Sequence, residues 1–262
     1  VSGWDEAEHP RDEAGRFTES WAASLAATLP HRFMTHAQVA HYADRTDFTR
    51  TYFHGGGSSI TAVRTYSDGK RMLEKHHLDD DEQADTEIAV SYIAAVVGAP
   101  VPASVLLPET DEDGNIGTLS EHIEGDVAVS LLPSWSSVGI DEFHRQEGAL
   151  AALHQNDKLG LLDALVGPSD RHAGNWIVTP SGAVGIDYAN AAFAGYADSP
   201  FARYLEDRQP HDIPVAELDR IERGIMDLHD MGIVLDSQKN AMVMVLRRLR
   251  ASARQAPGGS SD

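Results

Sequence analysis

The sequence predicts an α+β fold in two parts, a small antiparallel sheet carrying one helix and then a mainly helical remainder. Three observations predict it. Between 51 and 123, short β-branched and aromatic runs alternate with turn signals such as Ser67-Asp-Gly69 and Asp111-Glu-Asp-Gly-Asn115, the pattern of hairpins. A single helical stretch, about 83–97, interrupts them, with apolar residues at Ile88, Tyr92, Ala95 and Val96. Beyond 140 the apolar spacing is helical for most of the chain.

Length and charge narrow the function. A chain of 262 residues can bury a real core as one bilobal domain or two small ones. Its formal charge of −20 opposes nucleic-acid backbones and anionic membranes, so neither a nucleic-acid partner nor stable membrane association is expected. No cysteine is present, which excludes disulfides and thiolate metal sites. The uncharged run Ile88 to Pro108 is broken by Gly98, Pro100 and Pro102, so it reads as a buried helix followed by a strand. Val1 to Phe17 is charged and lacks the apolar core of a signal peptide.

The elements follow in order. Residues 1–20 are polar and read as a flexible tail, and 21–50 as a helical extension with helices at Trp21 to Leu29 and His36 to Ala43. The small lobe is placed at 51–124. Thr51 to Phe53 opens a hairpin, Gly55, Gly56, Gly57, Ser58 and Ser59 interrupt it, and Ile60 to Tyr66 continues it. Arg71 to His77 returns after the turn at Ser67-Asp-Gly69. Lys75 lies on this returning strand, whereas Lys70 sits in the turn and is expected to be solvated. The acidic run Asp79 to Glu82 suits a helix N-terminus. That helix ends before Pro100-Val-Pro102. Strands follow at Val101 to Leu107 and Ile116 to Ile123.

The large lobe is placed at 125–254. Val127 to Leu132 and Ile140 to Leu153 begin it as helical segments, with the clearest periodicity over Glu142 to His154. Leu159 to Val166 is a strongly apolar helix. Val215 to Met231 and Ser237 to Arg254 are amphipathic helices, and 255–262 is a disordered tail.

The most informative stretch is Gly167 to Asp187. Asp170 and Asn175 are five apart, and Asp187 follows twelve residues later. Trp176 to Val178 and Ala183 to Ile186 read as strands about the turn Thr179-Pro-Ser-Gly182. Such a loop, strand, turn and strand can set one carboxylate near a hydroxyl nucleophile and an amide with a second carboxylate on Mg²⁺. Phosphoryl transfer asks little more of a protein than this positioning and charge neutralisation.

Asp170-Arg171-His172-x-x-Asn175 followed by Ile186-Asp187 resembles the catalytic and metal-binding loops of the phosphatidylinositol-kinase-like and HipA-like branch of the protein-kinase fold. It is also similar to small kinase-like proteins of actinobacteria and their phages. The resemblance implies a bilobal fold and ATP·Mg²⁺-dependent phosphotransfer to a hydroxyl of a protein or small molecule. It implies Asp170 as the base that orients or deprotonates the acceptor, Asn175 and Asp187 as Mg²⁺ ligands, and Arg171 and His172 as residues that shape the loop or touch phosphate. The order of the small lobe adds Gly55, Gly56, Gly57, Ser58 and Ser59 against the phosphates. It also adds Lys75 on the α- and β-phosphates and Glu87, with Glu82 as fallback, as the partner of Lys75. Ser120 to Gly125 falls where the hinge lies, which places adenine against the backbone near Glu121 and Ile123.

Each residue has a plainer reading: the glycine run as a surface loop, Glu87 as a solvated helical carboxylate, Asp170 and Asn175 as turn formers. Where the family has Asp-Phe-Gly the chain has Asp187-Tyr188-Ala189, so an activation-loop switch is not implied. An ATP user fits the cytoplasm. His9 to Phe17 resembles a tag of phage structural and morphogenesis proteins, which would place the protein in a host cytoplasm or a virion. Rival functions within the fold are a nucleotide-binding pseudokinase or accessory protein without transfer, and an AMP transferase. A metalloenzyme is disfavoured because His76 and His77 point to opposite faces of a strand, and no Gly-x-Ser-x-Gly elbow supports a hydrolase.

Overall fold

The computed structural model describes residues 33–53, 59–78, 81–154, 156–168, 171–193 and 213–254. It is α+β, with a five-stranded antiparallel sheet, a second sheet of three strands, and helices packed around both.

The chain enters through helix α1 (His36–Ala43), started by a Thr35–Gln38 capping box. Strands β1 (Phe48–Phe53), β2 (Ser59–Tyr66) and β3 (Arg71–His77) then form a meander. The residues of β1 and β2 are largely β-branched or aromatic and suit a pleated, half-buried surface. The first strand begins three residues earlier than the sequence suggested, at Phe48 opposite Tyr66. Helix α2 (Asp81–Val97) follows, and Gly98, at φ 78°, turns the chain out of it. Strands β4 (Ser104–Leu106) and β5 (Gly117–Glu121) complete the sheet in the order β1-β2-β3-β5-β4. Both are shorter than expected. Val101 to Ala103 stay outside β4, since Pro100 and Pro102 have no N–H for a ladder.

The segment after β5 corrects the expected helix at Val127. Asp126–Val127 is a short strand, β6, pairing with Ile177 and Val178, and Ala128–Leu131 is one 3-10 turn. Helices α3 (Trp135–Val138), α4 (Ile140–Leu153) and α5 (Asp157–Val166) lead to the site. Asn156 caps α5 by accepting from Lys158 and Leu159, and Gly167 ends it at φ 57°. Strands β7 (Trp176–Thr179) and β8 (Gly182–Gly185) form a hairpin beside β6. Helices α6 (Val215–Asp230) and α7 (Asp236–Arg254) bury Leu218, Ile221, Ile225, Met242 and Leu246 in the main core.

Two packings position the site. Alternate residues of β3 face opposite ways. Met72 joins Val39 and Ala43 of α1 in a small core behind the sheet, while Leu73 and Lys75 line a cavity in front. Helix α2 buries Val90, Ile93, Ala94 and Val97 in the same core as α5, α6 and α7. Arg220 of α6 donates to the Val96 carbonyl at 2.7 Å. Gly224 lets α6 approach so closely that a Cβ there would lie 2.5 Å from Val96 Cγ1. The helix bearing Glu87 is therefore pinned to the main core. Among the described residues no helix is long and apolar enough to cross a membrane.

Candidate active site

A cavity of about 570 Å³ opens between the five-stranded sheet and the β6–β7–β8 side. It takes Leu73 and Lys75 from β3, Glu87 and Ser91 from α2, Ser120 to Gly125 from the end of β5 onwards, and Ile186 to Tyr188 from beyond β8.

Lys75 stands at its centre. Its Nζ donates to Glu87 Oε2 at 3.1 Å and to Asp187 Oδ1 at 2.7 Å. The Lys75 and Glu87 side chains are 12% and 13% exposed, against 45% for Asp187, so the carboxylate nearer the cavity mouth is Asp187. Burial works against the Lys75 ammonium, but Glu87 and Asp187 outweigh it and raise its pKa, which keeps the charge fixed. Lys75 bonds to Glu87 rather than to the fallback Glu82. Beneath the pair, buried His77 Nε2 lies 3.5 Å from Glu87 Oε2, and burial lowers its pKa, favouring the neutral ring.

Asp187 adopts φ 56°, in the left-handed region that a short polar side chain tolerates better than most. Residue 189 is not among the positive-φ positions, so alanine there carries no left-handed backbone strain. Asn175 is buried, and its carbonyl accepts the Ile186 N–H at 3.1 Å, joining the segments that carry Asn175 and Asp187. Arg171 is also buried. Its guanidinium serves Asp163 and the carbonyls of Asn175 and Ile186, so it holds the loop from inside and does not line the cavity. His172 is exposed and caps the turn Ala173–Asn175 by accepting from the Gly174 N–H at 2.9 Å. Asp170, Gly55, Gly56, Gly57 and Ser58 lie outside the described residues, while Ser59 lines the cavity.

The strip after β5 holds one correction. Lys70 is not simply solvated in its turn. Its Nζ bonds Glu121 Oε1 at 2.6 Å, and Glu121 also accepts the Met34 N–H at 2.9 Å. Glu121 pairs in register with Met72, so its side chain serves the back of the sheet, and it is the Glu121 main chain that borders the cavity. Ile123 follows, and its N–H and C=O have no backbone partner among the described residues. Those groups can therefore bond a flat heterocycle edge.

The donor set offered by Asn175 and Asp187 is an amide and a carboxylate oxygen, hard ligands that fit Mg²⁺. Among the described residues no group of three or more His, Asp or Glu could hold a metal alone, so a cation here would complete its shell with phosphate oxygens and water.

No protein-family model matches the chain, and no curated protein matches it. The solved structures it is similar to include three kinases. The proinflammatory kinase CtkA of Helicobacter pylori is 14% identical with a TM-score of 0.48, covering 79% of this chain and 92% of that one. The Golgi casein kinase is 11% identical with a TM-score of 0.47, covering 86% and 76%. The Rio2 kinase of Chaetomium thermophilum, in an ADP/Mg²⁺-phosphoaspartate complex, is 15% identical with a TM-score of 0.43, covering 93% and 81%.

Three residues that shape the site escape sequence reasoning. Asp163 is a lone acid in the apolar run Leu159 to Val166, and that isolation is the signal that could have exposed it. Tyr188 is buried, with its hydroxyl donating to Asp163 Oδ1 at 2.8 Å. Arg71 lines the mouth beside His122 and Glu124, and nothing in its surface-like strand position marks it.

Proposed function

We propose that the chain is an ATP- and Mg²⁺-dependent phosphotransferase whose acceptor is a hydroxyl of a protein or small molecule. The observation that carries this reading is Lys75 held between Glu87 and Asp187 in one cavity. A fixed ammonium beside a carboxylate at a cavity mouth is the polarity that a nucleotide's phosphates and their metal require. Lys75 binds the α- and β-phosphates and Glu87 keeps it extended. Asn175 and Asp187 hold Mg²⁺, which neutralises phosphate charge when bound. Adenine lies against Leu73 and the Glu121–Ile123 main chain. Asp170, read from the sequence motif, orients the acceptor hydroxyl and takes its proton, with Ser59 and the preceding Gly55 to Ser58 run against the phosphates.

The charges lining the cavity support a metal requirement. Arg71 and Lys75 face the carboxylates of Glu87, Glu124 and Asp187, so metal-free ATP meets a net negative wall. The Asp170-Arg171-His172 pattern supports the phosphatidylinositol-kinase-like or HipA-like branch, with 51–124 and 125–254 as the two lobes.

Incubation with γ-labelled ATP and Mg²⁺ tests this reading. Turnover or label transfer is expected, and its loss in Asp170→Ala and Asp187→Ala. Turnover unchanged in both variants would refute the site assignment. Stabilisation by ATP·Mg²⁺ without turnover would instead mark a binding module, and label from α-labelled but not γ-labelled ATP on the acceptor would mark AMP transfer.

A further inference from the structure

Behind the stretch of cavity wall that ends at Tyr188 lies a cluster that this chemistry does not itself use. Asp163 of α5 is fully buried, and Tyr188 and Arg171 are nearly so. Arg171 Nε and Nη2 donate to the two oxygens of Asp163 at 3.2 and 3.1 Å. Tyr188 OH donates to Asp163 Oδ1 at 2.8 Å, and the Arg171 guanidinium lies over the Tyr188 ring at 4.0 Å. The remaining guanidinium nitrogen, Nη1, reaches the Ile186 carbonyl at 3.0 Å and also the Asn175 carbonyl. Glycine at 185 makes room for the hydroxyl, since a Cβ there would lie 2.6 Å from it.

We propose that Asp163, Arg171 and Tyr188 form a positioning unit that sets Asn175 and Asp187 for their cation, an inference that rests on reading those two residues as Mg²⁺ ligands. One guanidinium grips the backbone at both ligand segments, at Asn175 itself and at Ile186 just before Asp187. On the other side of Asp187, Tyr188 is tied to the same carboxylate. Asp187 is thereby held at both neighbours in a backbone conformation that few residues adopt unaided. A buried ion pair alone contributes little net stability over apolar packing. Its value here lies in geometry: Asp163 neutralises the guanidinium and fixes its plane, so that Nη1 is aimed at two carbonyls at once. Lysine cannot reproduce that fork.

The test is a Mg²⁺ titration of thermal stabilisation at fixed, saturating ATP, in the full chain. It compares wild type, Tyr188→Phe, Arg171→Lys and, as a destabilised control in the separate core behind the sheet, Val39→Ala. The half-saturating Mg²⁺ concentration is expected to rise about tenfold in Arg171→Lys and severalfold in Tyr188→Phe, the size usual when a partner supporting metal ligands is removed. Val39→Ala should lower the melting temperature and leave half-saturation unchanged. Wild-type half-saturation in both cluster variants, whatever their melting temperatures, overturns the proposal while leaving the nucleotide reading intact. If Arg171→Lys does not fold, Tyr188→Phe decides. Absence of any ATP·Mg²⁺ stabilisation in wild type overturns the nucleotide reading and this inference with it.

Discussion

Neutralising Glu87 tests whether the Lys75 pair positions the ammonium or merely adorns the cavity. The separation of 3.1 Å corresponds to a gross attraction of about 5 kcal/mol at an effective dielectric near 20. Most of that is offset by desolvating two nearly buried groups. Exposed pairs couple by about 0.2–1 kcal/mol, and removing one partner of a buried pair costs about 3–5 kcal/mol. Glu87→Gln also leaves Lys75 bonded to Asp187 at 2.7 Å, which softens the loss. A coupling of about 1–2 kcal/mol between Lys75 and Glu87 follows. A double-mutant cycle of Lys75→Met and Glu87→Gln, read by urea denaturation, measures it directly. The same four proteins titrated with ATP·Mg²⁺ give a second reading. Each single variant should weaken binding, and the double should bind no worse than Lys75→Met. Additivity within about 0.3 kcal/mol, together with wild-type nucleotide affinity in Glu87→Gln, would refute the reasoning.

Four other outcomes are expected. His154 is buried and its pKa is lowered to about 4 by burial, so the unfolded chain takes up its proton first; stability present above pH 6.5 should fall as pH drops towards 4. Urea midpoints against pH should show this slope in wild type and a shallower one in His154→Gln. Glu74 accepts from Arg50, Arg64 and His76 behind the sheet, and Glu74→Gln leaves the buried Arg64 charge poorly matched; a loss of about 3–5 kcal/mol is expected by urea denaturation. Among the glycines, Gly148→Ala in α4 meets open space and should stabilise by about 0.5–1 kcal/mol. Gly125→Ala places a Cβ 2.4 Å from the Val178 carbonyl and should lower the melting temperature sharply.

The strands, turns and helices were largely legible because they rest on local chemistry. Ser67-Asp-Gly69 makes a turn wherever it stands between two β-forming runs, and Gly98 with Pro100 ends a helix by its own geometry. The exceptions were decided by partners. Asp126 and Val127 form a strand only because β7 offers them a ladder, and β4 is short because its prolines cannot join one.

What the sequence by itself determined is therefore the inventory and its order: a sheet with one helix, a helical remainder, and Lys75, Glu87, Asn175 and Asp187 as site candidates. Period and turn chemistry are short-range and can be read along the chain. Only the tertiary structure decided that Lys75 meets both Glu87 and Asp187, 112 residues away from it in the latter case. It also turned Lys70 from a solvated turn residue into the partner of Glu121, and made Asp163 the anchor beneath the loop. Those contacts depend on how α2 is pinned against α6 and on which face of each strand is buried. Side-chain direction at long range is a property of packing, and no local run of residues encodes it.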